Sequence, residues 1–409
     1  MFSESLAKTV SKWIFKLLIL TILNLFPGPI PSSICNLSSL TILYLFKNSL
    51  NGTIPDCIGN FSSLSQGNNL HGQIPENFTK GCTLQSFRIS NNQIHGLLPG
   101  SLGNCKHLRF LDVGNNYLNG TFPHWLGNLD QLEVLILRSN RFYGQFDRSD
   151  IAVPFPRLRV IDLSHNNFSG YLPTIFFENL LAIRERYKKI GQPEYIIDKL
   201  ADGGWNYAFD LSFTTKGLEL EFQRLLTTWM AIDFSSNEFV GEIPNKLGEL
   251  HSLIVLNLSH NSLTGPIPSS LGDLSELESL DLSSNKLHGR IPAELKNLGF
   301  LEVLNLSQNN LMGLIPQGKQ LDTFSNDSYR GNFGLCGLPL SKGCDNVEET
   351  PAKSNPSGDD ELDWKFSILM GYGCGLVLGL SMGYIVFATG KPWWFIGIFE
   401  RVKRRFAER

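Results

Sequence analysis

The sequence predicts an α/β solenoid, a stack of short repeats with a parallel β-sheet on its concave face, followed by one C-terminal transmembrane α-helix. The motif LxxLxLxxNxLxGxIP recurs with its asparagines 24 residues apart wherever it is regular, and a fixed period of this size is the signature of a solenoid. Its LxL segment alternates with period two, as a half-buried strand does. Finally, the 24 residues from Phe366 to Thr389 carry no charge, enough for a helix of about 36 Å that crosses a bilayer.

Each position of the motif has a physical cause. Leu277, Leu280 and Leu282 of one regular copy face inward, and only stacked neighbours can bury such a face. The asparagine amide turns inside and satisfies backbone groups of adjacent coils, while Gly289 permits a left-handed backbone. Positions between the leucines face solvent, where a solenoid binds its ligands. Copies align on Asn48, Asn68, Asn92, Asn116, Asn140, Asn166, Asn237, Asn261, Asn285 and Asn309.

Two irregularities interrupt the array. The step from Asn48 to Asn68 is 20 residues, and its LSSLSQGNNLHG segment lacks the residues of an LxL strand. The step from Asn166 to Asn237 is 71 residues, so it exceeds one normal 24-residue repeat by 47 residues, and we place the inserted island at 176–228. A loop of this length is usually functional or disordered. The island contains Trp205 and Tyr207, which either contact a ligand or pack the island onto the solenoid.

Four further ligand-contact candidates precede the island. They occupy positions of the concave face at which side chains are expected to project outward. These residues are Arg88, Asp112, Arg138 and His165.

The seven cysteines form no CxxC pair and have no histidine cluster beside them, which argues against zinc. Cys336 and Cys344, eight residues apart after the last repeat, are expected to close a C-terminal cap with a disulfide. Cys82 and Cys105 fall at nearly the same phase of adjacent coils, about 5 Å apart, and either bridge or stack as buried thiols. The sequence assigns no partner to the remaining cysteines.

Nine Asn-x-Ser/Thr sequons lie upstream of the predicted membrane span and none follows it, which fits a secreted, glycosylated region. Asn257 and Asn305 belong to the repeat motif itself and are expected to be structural only. The glycosylation candidates are Asn36, Asn51, Asn60, Asn77, Asn119, Asn167 and Asn326.

The predicted helix at 366–390 follows an acidic linker (345–365) and precedes a basic tail (391–409). Positive charge lies on the cytoplasmic side of a membrane span, so the N-terminal part is expected outside the cell. Small residues every four positions share one helix face and let a second helix approach closely. Here they are Gly371, Gly375, Gly379 and Gly383.

Several classes of function are disfavoured. A net charge of −3 argues against a nucleic-acid partner. We find no nucleophile–base pair, Gly-rich phosphate loop or metal-ligand spacing, so we expect neither an enzyme nor a cofactor. The 19-residue tail leaves no room for a kinase.

The segments KGLELEF and DFSSNEFVGEIP, the cap IPQGKQLDTFSNDSYRGN...GLCGLPL, and DWKFSILMGYGCGLVLGLSMGYIVFATGKPWW resemble the plant leucine-rich-repeat receptor-like proteins, which are cell-surface receptors without kinase domains. The resemblance implies a plant-type leucine-rich-repeat superhelix that senses a peptide or elicitor at the plasma membrane. It also implies a receptor-like kinase held by the glycine face and a co-receptor kinase at the C-terminal repeats.

The N-terminal segment differs from that family. Lys8, Lys12 and Lys16 precede an apolar run, as in a signal peptide. Yet Asn24 lies in phase with the repeats, which favours a degenerate repeat of an N-terminally truncated member, and a signal anchor is the other interpretation. The segments are 1–35 (this region), 36–175 (repeats), 176–228 (island), 229–316 (four repeats), 317–344 (cap), 345–365, 366–390 and 391–409.

Two alternative functions stay open. The alternatives to a receptor are a truncated decoy that occupies the partner kinase without sensing and an apoplastic inhibitor-type leucine-rich-repeat binding protein.

Overall fold

The computed structural model describes residues 28–30, 32, 35, 50–57, 63–64, 68–146, 154–185, 211–215, 218–222 and 226–344. All belong to the first of the chain's two units, Met1–Asn346. The predicted linker, membrane helix and tail (345–409), and most of the island, lie outside these residues. Among the described residues, no helix combines the length and the apolar character that a bilayer crossing requires.

The elements are short and regularly spaced. The strands are β1 (Gly28–Pro29), β2 (Leu50–Gly52), β3 (Ser63–Leu64), β4 (Asn69–Gly72), β5 (Ser86–Arg88), β6 (Gln93–Leu97), β7 (Phe110–Asp112), β8 (Tyr117–Gly120), β9 (Val134–Ile136), β10 (Arg141–Gln145), β11 (Val160–Asp162), β12 (Asn167–Tyr171), β13 (Leu211–Thr215), β14 (Leu218–Phe222), β15 (Ala231–Asp233), β16 (Glu238–Glu242), β17 (Val255–Asn257), β18 (Ser262–Thr264), β19 (Ser279–Asp281), β20 (His288–Gly289), β21 (Val303–Asn305), β22 (Asn310–Leu314) and β23 (Gly334–Cys336). The α-helices are α1 (Thr174–Glu178) and α2 (Leu181–Arg184), and the 3-10 helices are Gly100–Asn104, His124–Asn128, Asn245–Glu249, Ser269–Asp273, Ala293–Asn297, Lys319–Thr323 and Asn326–Tyr329.

Two parallel sheets run along the repeats. The LxL segments form one of them, here called the LxL sheet, in the order β3-β5-β7-β9-β11-β15-β17-β19-β21. The strands after the motif asparagine form the second sheet in the order β1-β2-β4-β6-β8-β10-β12-β16-β18, and β20, β22 and β23 occupy the same motif position in the last coils. From β3 to β21, the regular coils among the described residues each contribute one strand to the LxL sheet and one strand after the motif asparagine. The predicted solenoid with parallel strands is confirmed.

The motif residues hold the coil as the sequence predicts. Leu277, Leu280 and Leu282 are fully buried in the core between the two sheets and the helices. Pro292 is extended, with φ −60° and ψ 133°, and the 3-10 helix begins directly after it. A proline suits this place because its fixed φ leads into the first turn and its missing N–H costs no hydrogen bond there.

The motif asparagines form a buried ladder of hydrogen bonds. The Nδ2 of Asn116 donates to the carbonyls of Val113, Gly114 and, in the preceding coil, Ile89, at 3.0–3.1 Å. Its Oδ1 accepts the backbone N–H of Ile94, also in the preceding coil, at 3.0 Å. The side chain thus links backbone groups of two adjacent coils.

The motif glycines have two separate requirements. Gly289 has φ +85°, in the left-handed region that the sequence predicted. Gly241, with φ +80°, also lies beneath the Tyr171 ring, and an added Cβ would stand 2.4 Å from Tyr171 Cδ1. A side chain at Gly241 would be disfavoured both by the positive φ and by the steric clash with the Tyr171 ring.

The solenoid continues across the island without a change of register. Ile161 of β11 pairs with Ile232 of β15, and Gly170 of β12 pairs with Phe239 of β16. The island contributes an antiparallel hairpin, β13–β14. The insertion therefore lies outside the stacking, which explains how one repeat accommodates it.

One expectation about the early repeats is wrong. The Asn48–Asn68 step was expected to lack an LxL strand, but Ser63 and Leu64 form β3 and pair with Ser86 and Phe87. Parallel pairing uses backbone groups, so a neighbouring strand can order a segment whose side chains fit the pattern poorly.

Three disulfides lie within the described residues, and each joins cysteines close in sequence. Cys336 bonds to Cys344 in the cap, and Cys82 bonds to Cys105 on the next coil. The third disulfide joins Cys35 to Cys57, which the sequence left unassigned.

In the cap, Asn332 continues the ladder by accepting the backbone N–H of Leu311 at 3.0 Å.

Candidate functional site

The candidate site is the face of the LxL sheet that points away from the leucine core. Strand alternation directs the residue between the two leucines of each motif toward this face. Parallel register sets these residues side by side, Arg88 beside Asp112 and Asp162 beside Asp233.

The ligand-contact candidates before the island are mostly buried, which corrects the expectation that they project into solvent. Arg88, Asp112 and Arg138 are each less than a tenth exposed, and only His165 is exposed. Arg88 Nε lies 3.9 Å from Asp112 Oδ2, which also accepts the hydroxyl of Ser90 at 3.0 Å. Buried charges persist where they are paired in this way.

An apolar cluster occupies the same face, and the sequence analysis missed it. Its members, here called the face cluster, lie on β7, β9, β11, β15 and β17, and Trp229 and Ile254 pack against them. They are Phe110, Val134, Ile136, Val160, Ala231 and Val255, all at most 3% exposed. The sequence does carry a signal for this cluster. The third position of the motif, LxxLxLxxNxLxGxIP, holds an apolar residue in five successive repeats.

Asp162 and Asp233 are buried neighbours on β11 and β15, the strands that flank the island. Burial, and then the charge of Asp162, raise the pKa of Asp233 to about 7. Burial also raises the pKa of Asp162, which Arg138 and the bonds from Ser164 oppose. Two carboxylates this close resist simultaneous ionisation, so the pair retains a proton near neutral pH.

Elsewhere on this face an amide stands beside an aspartate. Asn257 Nδ2 donates to Asp233 Oδ2 at 3.1 Å, and Asn305 Nδ2 donates to Asp281 Oδ2 at 3.1 Å. At Asp162 the neighbour in the same register is the carboxyl of Asp233 and not an amide.

The island leaves the solenoid next to the helices and re-enters beside this face. At its start, Ile183 is buried in the core and accepts the backbone N–H of Ser252 at 3.0 Å, while Arg184 pairs with Glu249 at 2.8 Å. The chain returns at Trp229, which packs against the face cluster. The insertion point thus lies between a helix and the start of an LxL strand.

A separate open cleft of about 530 Å³ lies on the helical flank. Lys246 donates to Glu249 at 2.8 Å, and this bond lowers the pKa of Glu249. Lys246 and Glu249 of this cleft therefore pair with each other. It is lined by Thr174, Pro244, Asn245, Lys246, Gly248, Glu249, His251, Ser270 and Asp273.

The sequon asparagines divide into two groups. Asn257 and Asn305 are half-buried, and their amides bond to carboxylates. The exposed group is Asn51, Asn77, Asn119, Asn167 and Asn326. Several predicted site residues lie outside the described residues. They are Asn36, Asn60, Trp205, Tyr207 and the four glycines of the predicted membrane helix.

Comparison with known proteins places these features in a family. The family model described as "Leucine rich repeat" matches residues 82–142 and 230–287, and a second of the same description matches 39–61, 157–179 and 300–319. The chain is 54% identical to receptor-like protein 7 of Arabidopsis thaliana over 93% of this chain and 40% of that protein. It is 58% identical to receptor-like protein 9DC3 of Solanum pimpinellifolium over 59% of this chain and 28% of that protein. It therefore spans less than half the length of these relatives.

Solved structures share the fold. A TDR receptor matches with a TM-score of 0.59 at 28% identity, over 77% of this chain and 46% of that one. A plant ice-binding protein matches with a TM-score of 0.53 at 24% identity, over 79% of this chain and 82% of that one, which is a likeness of fold alone. Because the identity to receptor-like protein 7 extends over 93% of the chain and not over the repeats alone, the chain belongs to the plant leucine-rich-repeat receptor-like proteins.

Proposed function

We propose that this chain is a single-pass plasma-membrane receptor-like protein that senses an extracellular peptide or elicitor and signals through a partner receptor kinase in defence or development. The observation that carries the proposal is the LxL face beside the island. There, paired charges and the face cluster occupy consecutive strands of a surface through which solenoids bind their ligands.

The ligand-contacting part of this surface is proposed to combine the exposed His165 with Trp205 and Tyr207 of the island. The island's insertion point supports this, since Trp229 leads directly into the face cluster. Arg88 and Asp112 are buried as an ion pair, so their proposed role is to fix the charge pattern beneath the contact surface. Loops positioned by a rigid scaffold commonly carry binding residues.

The proposed topology places the N-terminal part outside the cell, the helix 366–390 in the membrane and the tail 391–409 in the cytoplasm. Its support is the uncharged stretch followed by basic residues. The face of Gly371, Gly375, Gly379 and Gly383 would pair with the membrane helix of a receptor-like kinase. The C-terminal repeats (229–316) would receive a co-receptor kinase.

This arrangement assigns no catalytic residue to the chain, so the chemistry of signalling would belong to the partner kinase. The names of the relatives, receptor-like proteins, support a receptor role.

Two other functions make different predictions. A truncated decoy would bind the partner kinase but would not reach the cell surface or bind a ligand. An apoplastic inhibitor would be recovered from the cell wall without membrane extraction.

The test is affinity purification of the epitope-tagged full chain from plant membranes, with mass spectrometry of the co-purifying kinases and peptides and surface labelling of intact cells. The proposal expects detergent-dependent extraction, surface labelling of the N-terminal part and a receptor-like kinase in the eluate. Recovery in the soluble wall fraction would favour the inhibitor. Kinase binding without surface labelling would favour the decoy.

A further inference from the structure

The solvent face of the second sheet exposes large apolar side chains on five successive strands, from β6 to β16, and the first three matter here. Leu97 on β6 is 65% exposed, Tyr117 on β8 is 48% exposed and Tyr143 on β10 is 53% exposed. Clustered exposed apolar side chains mark a surface that something else covers.

Two sequon asparagines lie directly beside these side chains. Asn119 of β8 is the register partner of Leu97, and Asn167 of β12 is the register partner of Tyr143. Neighbouring strands are about 4.8 Å apart, so the side chains of register partners lie next to each other on one face. Tyr117 precedes Asn119 by two residues and therefore shares its face of the strand. The same pairing recurs earlier, where Pro29 is the partner of Asn51.

The acceptor amides of this face are available for modification. Asn119 and Asn167 are exposed, and Asn167 Nδ2 lies 3.5 Å from Glu238 Oε1, at the outer limit of a hydrogen bond. Asn257 and Asn305 differ because each amide donates to a buried or half-buried carboxylate at 3.1 Å. An attached sugar replaces one amide hydrogen and would disturb those bonds.

We propose that Asn119 and Asn167 carry N-linked glycans whose first sugar rings pack on Leu97 and Tyr143, so that the chain's own glycans cover this apolar face. The proposal rests on the extracellular placement proposed above. The oligosaccharide would come from a lipid-linked diphosphate donor. A bond forms between its anomeric carbon and the asparagine Nδ2, the anomeric carbon–oxygen bond to the diphosphate breaks, and the amide loses one proton.

The chemistry favours a sugar as the occupant. A pyranose ring has a face of C–H groups, which covers an aromatic or aliphatic surface, and an edge of hydroxyls, which stays in water. Tyr143 offers such a surface directly beside Asn167. Tyr117 is already covered on one side by Arg141, whose Cζ lies 4.9 Å from the ring centroid. The pair of Tyr143 and Asn167 is therefore the simpler one to test.

The experiment measures glycan occupancy and thermal stability on the full chain purified from plant membranes in detergent, with glycans trimmed to the first N-acetylglucosamine. Mass spectrometry should find sugar at Asn119 and Asn167 and none at Asn257 and Asn305. Asn167→Gln should lower the unfolding midpoint by about 1–2 °C, the shift expected when a contact of ordinary size is lost from a unit as large as Met1–Asn346. In a Tyr143→Ser background the same substitution should cause no further loss.

Two variants keep the result interpretable. Tyr143→Phe retains the ring and should retain the effect of Asn167→Gln. Tyr171→Ser removes an exposed tyrosine from β12, the strand of Asn167, at a distance of four residues or about 13 Å. The decreases in unfolding midpoint caused by Tyr171→Ser and Asn167→Gln should therefore be additive.

Three outcomes would overturn the inference. Strict additivity of Tyr143→Ser and Asn167→Gln means that no contact exists. Occupied sequons at Asn51, Asn77 and Asn326 with a bare Asn119 and Asn167 reject the inference but leave the extracellular placement intact. A chain without any glycan rejects that placement as well.

Discussion

The backbone N–H of Phe168 donates to the Oδ1 of Asn237 at 3.0 Å although 69 residues separate them. The equivalent bond between regular coils, such as Leu118 to Asn140, joins residues 22 apart. The asparagine ladder therefore crosses the island as if the insertion were absent. This continuity holds the repeats before and after the island in one stack.

Replacing Asn237 with alanine should destabilise the junction strongly. The substitution removes the acceptor of Phe168 and the donor to the carbonyls of Leu163, Phe234 and Ser235, which are 3.0–3.3 Å away. Buried backbone groups left without partners cost about 1–3 kcal/mol each, so we expect a loss of at least about 2 kcal/mol in urea unfolding. Asn297→Ala, at an exposed helix position, is the control and should change stability by less than about 0.5 kcal/mol. Equal effects of the two variants would contradict the ladder's role.

The Asp162–Asp233 pair should make stability fall as pH rises. The folded chain keeps the Asp233 proton to a pKa of about 7, whereas an unfolded aspartic acid releases it near pH ~4. Between these values the folded state binds more protons, so the free energy of unfolding decreases with increasing pH. Asp162→Asn removes the neighbouring charge and should flatten this decline and raise the melting temperature at pH 8. The gain is about 1.4 kcal/mol for each unit by which the Asp233 pKa falls.

The control for this prediction is the exposed carboxylate Asp273. Thermal melts of Asp162→Asn, Asp273→Asn and the parent chain between pH 4 and pH 8 should separate the first variant from the other two. An unchanged pH dependence in Asp162→Asn would show that the two carboxyls do not interact.

Neighbouring coils approach so closely at Gly272 that a larger residue there should lower the free energy of unfolding. A Cβ at this position would stand 2.5 Å from the carbonyl oxygen of Glu294 in the next coil. Backbone cannot yield as a flexible side chain would, so Gly272→Ala should cost about 1–3 kcal/mol. At Gly299 a Cβ meets no atom within 4 Å, and Gly299→Ala should be neutral or stabilise the chain by up to about 1 kcal/mol. Urea unfolding of both variants provides the comparison, and a smaller cost at Gly272 than at Gly299 would reject the packing argument.

Sequence periodicity predicted the repeat positions because each motif residue has a local cause, such as the inward leucines and the positive φ of Gly289. It failed where the cause is not local. The strand at Ser63 depends on its neighbour Ser86, and the burial of Arg88 and Phe110 depends on what packs onto the LxL face. The ladder residue Asn332 was also missed, because the cap around it lacks the rest of the motif.

The central claim, a receptor that signals through a partner kinase, is tested most directly by replacing both Gly375 and Gly379 with leucine in the full chain. The measurement is the amount of receptor-like kinase that co-purifies from detergent-solubilised membranes. Gly373→Leu adds the same bulk on another face of the predicted helix, at 100° per residue, and is the control. Our account predicts that the double variant loses the kinase while Gly373→Leu keeps it. Undiminished kinase recovery with the double variant would contradict the account.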